Sequence, residues 1–326
     1  MTDLVLDAQD VVVEYPGRGW RKPPFQALKG VSIDIRPGET VGLVGESGSG
    51  KTTLGRGVLG LAPVTGGKIL YKGRDISHLS RSERRGLAKE IQVVFQDPYT
   101  SLNPSLTIER ILTEPLTAQG VSAKEASARV QKLLDQVHLP AGAAHRLPRE
   151  FSGGQRQRIA IARALALEPE LIVCDEPVSA LDLTTQARVL ELFIEIQERT
   201  GVAYLFISHD LTVVRHISHR VAVMYLGKIV ELTDKKTLFV EPLHPYTEAL
   251  LSAVPQPEPP KPGTKRERII LTGDVPSPIR PPSGCRFHTR CPYVFDRCKT
   301  EEPAFQESKP GHWVACHLRE PGATAA

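Results

Sequence analysis

Apolar residues form two kinds of pattern that predict strands: short continuous runs, and an alternation of apolar with polar residues. Short, mostly apolar runs predict strands that are buried on both faces of a sheet. A looser alternation of apolar and polar residues up to about residue 75, as at Val11–Tyr15, predicts further strands near the amino terminus. The apolar runs are Val41–Val44, Ile91–Phe95, Leu171–Cys174 and Ala203–Ile207.

Segments in which apolar residues recur at helical spacing lie between these runs. Apolar residues recur three and four positions apart in residues 106–140, and residues 54–61 predict a shorter helix. Residues 184–200 have the pattern of an amphipathic helix that stops at Gly201. This order of strands and helices favours an α/β core with a largely parallel sheet.

Composition and charge restrict the class of protein. The 326 residues allow one large domain or two, and 40% hydrophobic with 24% charged residues suits a globular protein. A net charge of +4 is too small to indicate a nucleic-acid partner. No run approaches the roughly 18 apolar residues of a membrane span, and the acidic stretch Met1–Asp7 is unlike a signal peptide. We therefore expect a cytosolic protein, or one peripheral on the cytosolic face of a membrane.

The most informative segment is Gly45–Thr53, which fits the phosphate-binding pattern G-x-x-x-x-G-K-[ST]. It follows a predicted strand and precedes a predicted helix, so free main-chain N–H groups would face an anion. Lys51 is expected to contact the β- and γ-phosphates, and Thr52 to bind Mg²⁺. The alternative is a chance glycine-rich turn. The predicted nucleotide contacts are Gly45, Glu46, Ser47, Gly48, Ser49, Gly50, Lys51, Thr52 and Thr53.

Two carboxylates follow the predicted strand at residues 171–174. Asp175 is expected to hold Mg²⁺, and Glu176 to orient and polarise the attacking water. Phosphoryl transfer depends mainly on positioning and charge stabilisation, so these groups and Mg²⁺ would suffice for hydrolysis. An acidic turn after a strand is the alternative.

A second predicted helix amino terminus lies at Phe151–Gln155. Ser152 is a suitable N-cap and Gln155 stands three residues later, as in a capping box. Gly153 and Gly154 leave this amino terminus open, which makes it another candidate anion site. An ordinary capped helix is the alternative.

Together these motifs resemble those of ABC ATPases, with Phe151 where leucine is commonest in the signature motif. The resemblance implies that Gln96 senses Mg²⁺ and the γ-phosphate, that His209 is the switch histidine and that Tyr15 stacks on adenine. Ser179–Asp182 resembles the D-loop. Mg²⁺ would be held by Thr52, Gln96 and Asp175. Residues Ser152, Gly153, Gly154 and Gln155 would close over the ATP of a second ATPase unit in a head-to-tail dimer.

The same resemblance implies the architecture. It predicts a nucleotide-binding domain at residues 1–245, with a RecA-like core, an antiparallel β subdomain and a helical subdomain at about 97–165. A cysteine-containing tail domain would follow at residues 246–326, after a proline-rich linker at 255–262.

Three segments resemble the corresponding segments in the ATPases of oligopeptide and dipeptide permeases. The third segment in the order given below also resembles the second ATPase of a heterodimeric pair. The three segments are Phe95–Pro104, His244–Thr247 and Gly284–Pro292. The implied function is ATP-driven peptide import with a second ATPase, two permease subunits and an extracytoplasmic solute-binding protein. Import of nickel or glutathione, or a soluble ATPase acting on nucleic acid or ribosomes, are the alternatives. A permease helix is expected to dock just after Gln96, near Tyr99 and Leu102.

Four cysteines crowd the tail at spacings that name no metal by themselves. Four thiolates suit a [4Fe–4S] cluster, whereas zinc sites usually show a closer pair. Zinc and plain cysteines stay open as alternatives, and the family resemblance favours the cluster. We expect such a centre to be needed for the tail to fold. The four residues are Cys285, Cys291, Cys298 and Cys316.

Overall fold

The computed structural model describes residues 3–17, 24–254 and 268–320, so the predicted linker at 255–262 lies outside the described residues. The strands are β1 (Leu6–Tyr15), β2 (Phe25–Ile35), β3 (Thr40–Val44), β4 (Val64–Tyr71), β5 (Arg74–Asp75), β6 (Ile91–Val94), β7 (Leu171–Asp175), β8 (Ala203–Ile207), β9 (Arg220–Tyr225), β10 (Lys228–Asp234), β11 (Gln306–Lys309) and β12 (His312–Val314).

The helices are α1 (Lys51–Val58), α2 (Arg81–Leu87), α3 (Pro98–Ser101), α4 (Ile108–Ala118), α5 (Ala123–Gln136), α6 (Gly153–Leu165), α7 (Leu183–Thr200), α8 (Leu211–Ile217), α9 (Lys235–Val240), α10 (Pro245–Ser252) and α11 (Asp296–Thr300). None of the helices in these described ranges is long and apolar enough to cross a membrane.

An eight-stranded sheet forms the centre, in the order β11-β12-β10-β9-β3-β8-β7-β6. Its five strands from β9 to β6 run parallel, which confirms the predicted parallel α/β core. β3 and β8 are buried along their whole length, as expected for strands covered on both faces. The carboxyl ends of β3, β6, β7 and β8 therefore meet at one edge of the sheet, where ligands bind in folds of this kind.

Two further layers flank this sheet. The predicted strands near the amino terminus form a four-stranded antiparallel sheet, β2-β1-β4-β5. On the other side, α3 to α6 pack around one apolar core with residues of β6 and β7. The stretch predicted as helical at 106–140 is two helices, interrupted at Gly120 with φ +88°. The helix predicted at 54–61 begins earlier, at Lys51, directly after the glycine-rich loop.

The described part of the tail joins the central sheet. β12 pairs antiparallel with β10, and β11 pairs with β12. β10 would otherwise be an edge strand with unpaired backbone groups, and the hairpin covers them. Phe287 is buried against Tyr225 of β9 and Tyr246 of α10. Phe287 therefore buries apolar surface of the tail, whereas Ile270, Tyr293 and Trp313 stay exposed. The expectation that a metal centre is needed for the tail to fold stays a prediction.

Candidate active site

The glycine-rich loop connects the end of β3 to the start of α1. Gly45 has φ +154°, and a Cβ there would lie 2.2 Å from the main-chain oxygen of Met224. Gly50 precedes α1 with φ +107°, a conformation that favours glycine. The loop thus runs close to β9, and it ends with the free N–H groups of an eight-residue helix. This is the strand, loop and helix arrangement that the sequence predicts for a phosphate site.

Lys51 turns its ammonium group back to the loop. Nζ donates to the main-chain oxygen of Gly45 at 2.7 Å and to that of Glu46 at 3.0 Å. Burial lowers the pKa of Lys51, while the nearby carboxylates of Glu176 and Asp175 oppose this shift. The lysine therefore lies beside both acidic residues that the sequence assigns to the site.

Thr52 and Asp175 come together from α1 and β7. The Thr52 hydroxyl donates to Asp175 Oδ1 at 2.9 Å. Burial raises the pKa of Asp175, because the charged carboxylate is only partly solvated there. A hydroxyl and a carboxylate oxygen are ligands that Mg²⁺ prefers, so the chemistry of this pair fits the predicted metal position.

Glu176 and His209 form a second pair beside the first. His209 Nδ1 lies 3.1 Å from Glu176 Oε2. Glu176 has φ +49°, a strained value for a residue other than glycine, and its N–H donates to the oxygen of Ile207 on β8. The strained turn directs a carboxylate that is only 18% exposed toward the more open histidine.

The D-loop segment follows Glu176 directly. The hydroxyl of Ser179 donates to the main-chain oxygen of Glu176 at 3.0 Å. Asp182 caps α7 by accepting from the N–H of Thr185 at 3.0 Å. This short segment therefore ties the Glu176 turn to the start of a long helix.

The predicted capping box at the second helix amino terminus is present. The Ser152 N–H donates to Gln155 Oε1 at 3.0 Å, and the Gln155 N–H donates to Ser152 Oγ at 3.4 Å. A Cβ on Gly154 would lie 2.2 Å from Cγ2 of Thr185. Gly154 is therefore required where α6 meets α7. Ser152–Gln155 begin the last helix of the α3–α6 layer and do not share a hydrogen bond with Lys51, Thr52, Asp175 or Glu176 within the described chain.

The two remaining predicted residues lie at or just after the ends of strands. Gln96 is exposed, two residues after the end of β6. Tyr15 ends β1 and is half-buried, and its ring stacks on Phe25 with centroids 6.5 Å apart.

We expect Tyr15→Ala to weaken binding of MgATP by about 5- to 150-fold, if the ring stacks on adenine and contributes about 1–3 kcal/mol. Binding of Mg²⁺ with tripolyphosphate, which has no base, should stay unchanged. Fluorescence titration of both ligands against the full-length chain measures this, with Tyr15→Phe as the control. Equal ATP affinity of Tyr15→Ala and the natural protein would leave Tyr15 a strand-end residue with no ligand.

The sequence analysis missed two residues that contact the loop. The N–H of Glu46 donates to the hydroxyl of Tyr246 at 2.9 Å, and Arg290 binds the Glu46 carboxylate. Tyr246 lies in the segment noted for its family resemblance, and Arg290 lies between two of the noted cysteines. No spacing rule links either residue to a loop two hundred or more positions away.

The four tail cysteines carry free thiols. Burial raises the pKa of Cys291 to about 11 and of Cys316 to about 12, and the charge of neighbouring cysteines adds to both shifts. The donor chemistry suits iron or zinc. In the described ranges, however, no three His, Cys, Asp or Glu side chains are placed so that they could hold a metal ion. The four thiols are thus near one another without forming a coordination site.

Comparisons with known proteins agree with this geometry. Residues 28–179 match the family described as ABC transporter, and residues 230–298 match the region described as oligopeptide/dipeptide transporter, C-terminal region. The chain is 52% identical to the oligopeptide transport ATP-binding protein AppF of Bacillus subtilis, over 97% of this chain and 98% of that protein. It is 48% identical to a probable peptide ABC transporter ATP-binding protein, y4tS, of Sinorhizobium fredii, over 100% of this chain and 93% of that protein.

Solved structures show the same fold. The chain aligns with CbiO1 of Clostridium perfringens, part of an ABC transporter complex, with a TM-score of 0.65 and 27% identity over 73% of this chain and 92% of that one. It also aligns with a dimeric ATP-binding cassette, MJ0796, in a post-hydrolysis state bound to ADP and Pi. That match has a TM-score of 0.63 and 29% identity over 71% of this chain and 98% of that one.

Proposed function

Because the chain belongs to the ABC transporter family and carries the carboxyl-terminal region of the oligopeptide/dipeptide transporters, we propose that it binds and hydrolyses ATP to energise import of di- or oligopeptides through a membrane permease. The observation that carries the ATPase part is the meeting of two pairs at one sheet edge. The Thr52 hydroxyl donates a hydrogen bond to Asp175, and the Glu176 carboxylate lies within hydrogen-bonding distance of His209. The peptide part is supported by the relatives, which are named for peptide transport.

Each group at this edge has a separate task in the proposed reaction. The loop N–H groups and Lys51 bind the phosphates, and Thr52, Asp175 and Gln96 would hold Mg²⁺. When bound, Mg²⁺ neutralises phosphate charge as it develops during transfer. Glu176 positions the attacking water and polarises it, and His209 holds the Glu176 carboxylate in place. Tyr15 supports the adenine ring.

The proposed site is completed by a second ATPase subunit. Ser152–Gln155 lie on the helical layer and share no hydrogen bond with Lys51, Thr52 or the two acidic residues within the described chain, so we infer that they close over the nucleotide of a partner. We propose a heterodimer of two such ATPases, bound to two permease subunits on the cytoplasmic face of the membrane and supplied by a solute-binding protein. The chain then divides at about residue 245 into the nucleotide-binding part and the carboxyl-terminal region.

The experiment that tests this function is ATP-driven uptake in proteoliposomes. The chain is purified with its proposed partners, two permease subunits, a second ATPase and a solute-binding protein, and uptake of labelled di- and tripeptides is measured with MgATP inside the vesicles. We expect uptake that stops without ATP. Uptake of nickel or glutathione in place of peptide would keep the energising role and change the solute. A complex that hydrolyses ATP in response to nucleic acid or ribosomes, with no uptake, would contradict the proposal.

The proposed permease contact lies after Gln96. The structure places the two residues predicted for it in different environments, one exposed and one buried. Tyr99 is 55% exposed, with the guanidinium of Arg156 4.3 Å from its ring centroid. Leu102 is 1% exposed in the core of the helical layer. The prediction that Leu102 contacts the permease is therefore wrong, because its side chain is buried among the helices that follow it. Its removal should cost stability, about 2–5 kcal/mol.

We expect Tyr99→Ala to lower peptide uptake about fivefold or more, while MgATP hydrolysis stays within about twofold, since a coupling contact affects one activity without the other. Uptake and hydrolysis are measured on the same proteoliposomes. Tyr293→Ala removes another exposed tyrosine, in the tail, and serves as the control. Loss of uptake and hydrolysis to the same extent in Tyr99→Ala would show that Tyr99 supports the structure of the α3–α6 layer and is not a permease contact.

The iron–sulfur prediction rests on the donor chemistry of Cys285, Cys291, Cys298 and Cys316, since their placement does not gather a coordination group. Anaerobic purification should give brown protein with broad absorbance near ~400 nm if four thiolates bind a cluster. Elemental analysis and thiol titration accompany the spectrum. Colourless protein with stoichiometric zinc would select zinc. Metal-free folded protein with four titratable tail thiols would leave plain cysteines.

A further inference from the structure

The tail reaches the phosphate-binding loop through a partly buried ion pair. Arg290 Nη1 donates to Glu46 Oε2 at 2.8 Å, and Nη2 donates to Glu46 Oε1 at 3.1 Å. The Arg290 side chain is 8% exposed and that of Glu46 is 26% exposed. A bidentate pair fixes the angle between its two groups as well as their distance. It differs from surface pairs such as Arg297 with Glu301, about half exposed, which contribute little.

Glu46 is also tied to the loop's own lysine through its backbone. Its main-chain oxygen accepts from Lys51 Nζ, and its N–H donates to the hydroxyl of Tyr246. Both carboxylate oxygens are engaged by Arg290. The Glu46 side chain therefore acts as an attachment point. Because Arg290 fixes the Glu46 carboxylate, it also restricts the Glu46 carbonyl that accepts the hydrogen bond from Lys51.

A second contact runs from the same tail segment, residues 285–291, to the other side of the loop. Arg286 Nη1 donates to the main-chain oxygen of Leu226, in the turn between β9 and β10. The next residue, Gly227, donates its N–H to the oxygen of Ser49 at 2.8 Å. Tail segment 285–291 thus reaches the loop both at Glu46 and, through the turn, at Ser49.

Segment 285–291 is itself held firmly. The ring of Phe287 is 1% exposed and lies 5.4 Å from the rings of Tyr225 and of Tyr246. The N–H of Arg290 donates to the oxygen of Phe287 at 3.0 Å. Because the aromatic cluster fixes Phe287, the position of Arg290 is set by packing before any nucleotide binds.

We propose that Arg290 is a positioning residue for ATP binding: by holding the Glu46 carboxylate it makes the geometry of the phosphate-binding loop depend on the docked tail. The proposal rests on the proposed ATPase function. It assigns the tail a role at the nucleotide, in addition to covering the sheet edge. A tail that only covers the edge would leave nucleotide affinity unchanged when the pair is removed, provided that the fold is kept.

The test is a double-mutant cycle on the full-length chain with Glu46→Gln, Arg290→Gln and the double variant. Binding of Mg²⁺ with the non-hydrolysable analogue AMP-PNP is measured by calorimetry. We expect each single variant to raise Kd roughly tenfold, a typical size for coupling between sites. The double variant should be no weaker than either single variant, because both remove the same contact. Arg297→Gln, another ion-paired tail arginine, is the matched control and should bind normally.

Steady-state hydrolysis by the assembled complex gives the second readout. We expect KM for ATP to rise roughly tenfold with kcat within about twofold, and Arg290→Lys to recover part of the loss. If Arg290→Gln does not fold, Glu46→Gln and Arg290→Lys decide alone. Natural protein that binds no AMP-PNP would overturn the ATPase function itself. If the natural protein binds AMP-PNP and the variants bind it with equal affinity, only the proposed role of Arg290 would be overturned. Strictly additive losses of affinity in the double variant would overturn that role as well.

Discussion

Glu176→Gln is expected to abolish most ATP hydrolysis while leaving ATP binding intact. The substitution keeps the size of the side chain and its proximity to His209 at 3.1 Å, but removes the charge that would polarise the attacking water. A positioned base of this kind contributes about 10²–10⁴-fold to a rate. ATP that binds and is not hydrolysed should hold the two ATPase subunits together.

Two measurements check this result. Phosphate release gives the turnover of the complex, and size-exclusion chromatography with MgATP gives the population of closed dimer. Glu170→Gln is the matched control, since Glu170 stands just before the same strand and its side chain is half exposed in a pair with Lys72. It should hydrolyse normally. Near-normal turnover by Glu176→Gln would refute the assignment of the base.

Lys51→Ala is expected to act on the earlier step, nucleotide binding. In the structure the ammonium rests on the oxygens of Gly45 and Glu46, inside the loop where the phosphates would lie. A hydrogen bond to a charged group contributes about 1.5–3 kcal/mol. Loss of the lysine should therefore weaken MgATP binding about 10- to 150-fold.

Calorimetry with MgATP measures the affinity, and thermal unfolding checks that the loop has not lost its structure. Lys72→Ala, which removes an exposed lysine paired with Glu170, should leave the affinity unchanged. ATP affinity equal to that of the natural protein in Lys51→Ala would show that the backbone N–H groups alone hold the phosphates. Glu176→Gln and Lys51→Ala together test the proposed roles in hydrolysis and in nucleotide binding separately.

The sequence by itself determined which residues make up the proposed ATP site. Gly45–Thr53, Asp175–Glu176 and Ser152–Gln155 are contiguous motifs, and each contains the local conformation that it needs: a loop before a helix, a strand end, or an N-cap. The buried parallel strands were also predictable, because a strand covered on both faces requires a continuous apolar run. Their parallel order then brings Asp175 to Thr52 without any further signal.

Only the tertiary structure decided how the tail and the helical layer contribute. Arg290 and Glu46 are 244 positions apart, and β12 joins β10 by main-chain hydrogen bonds that nearly any sequence can form. Leu102 looks like a surface residue in a polar segment, yet the helices that follow it cover its side chain. Such contacts depend on which surfaces meet after the chain has folded. No local period or spacing records them, because their partners come from distant segments.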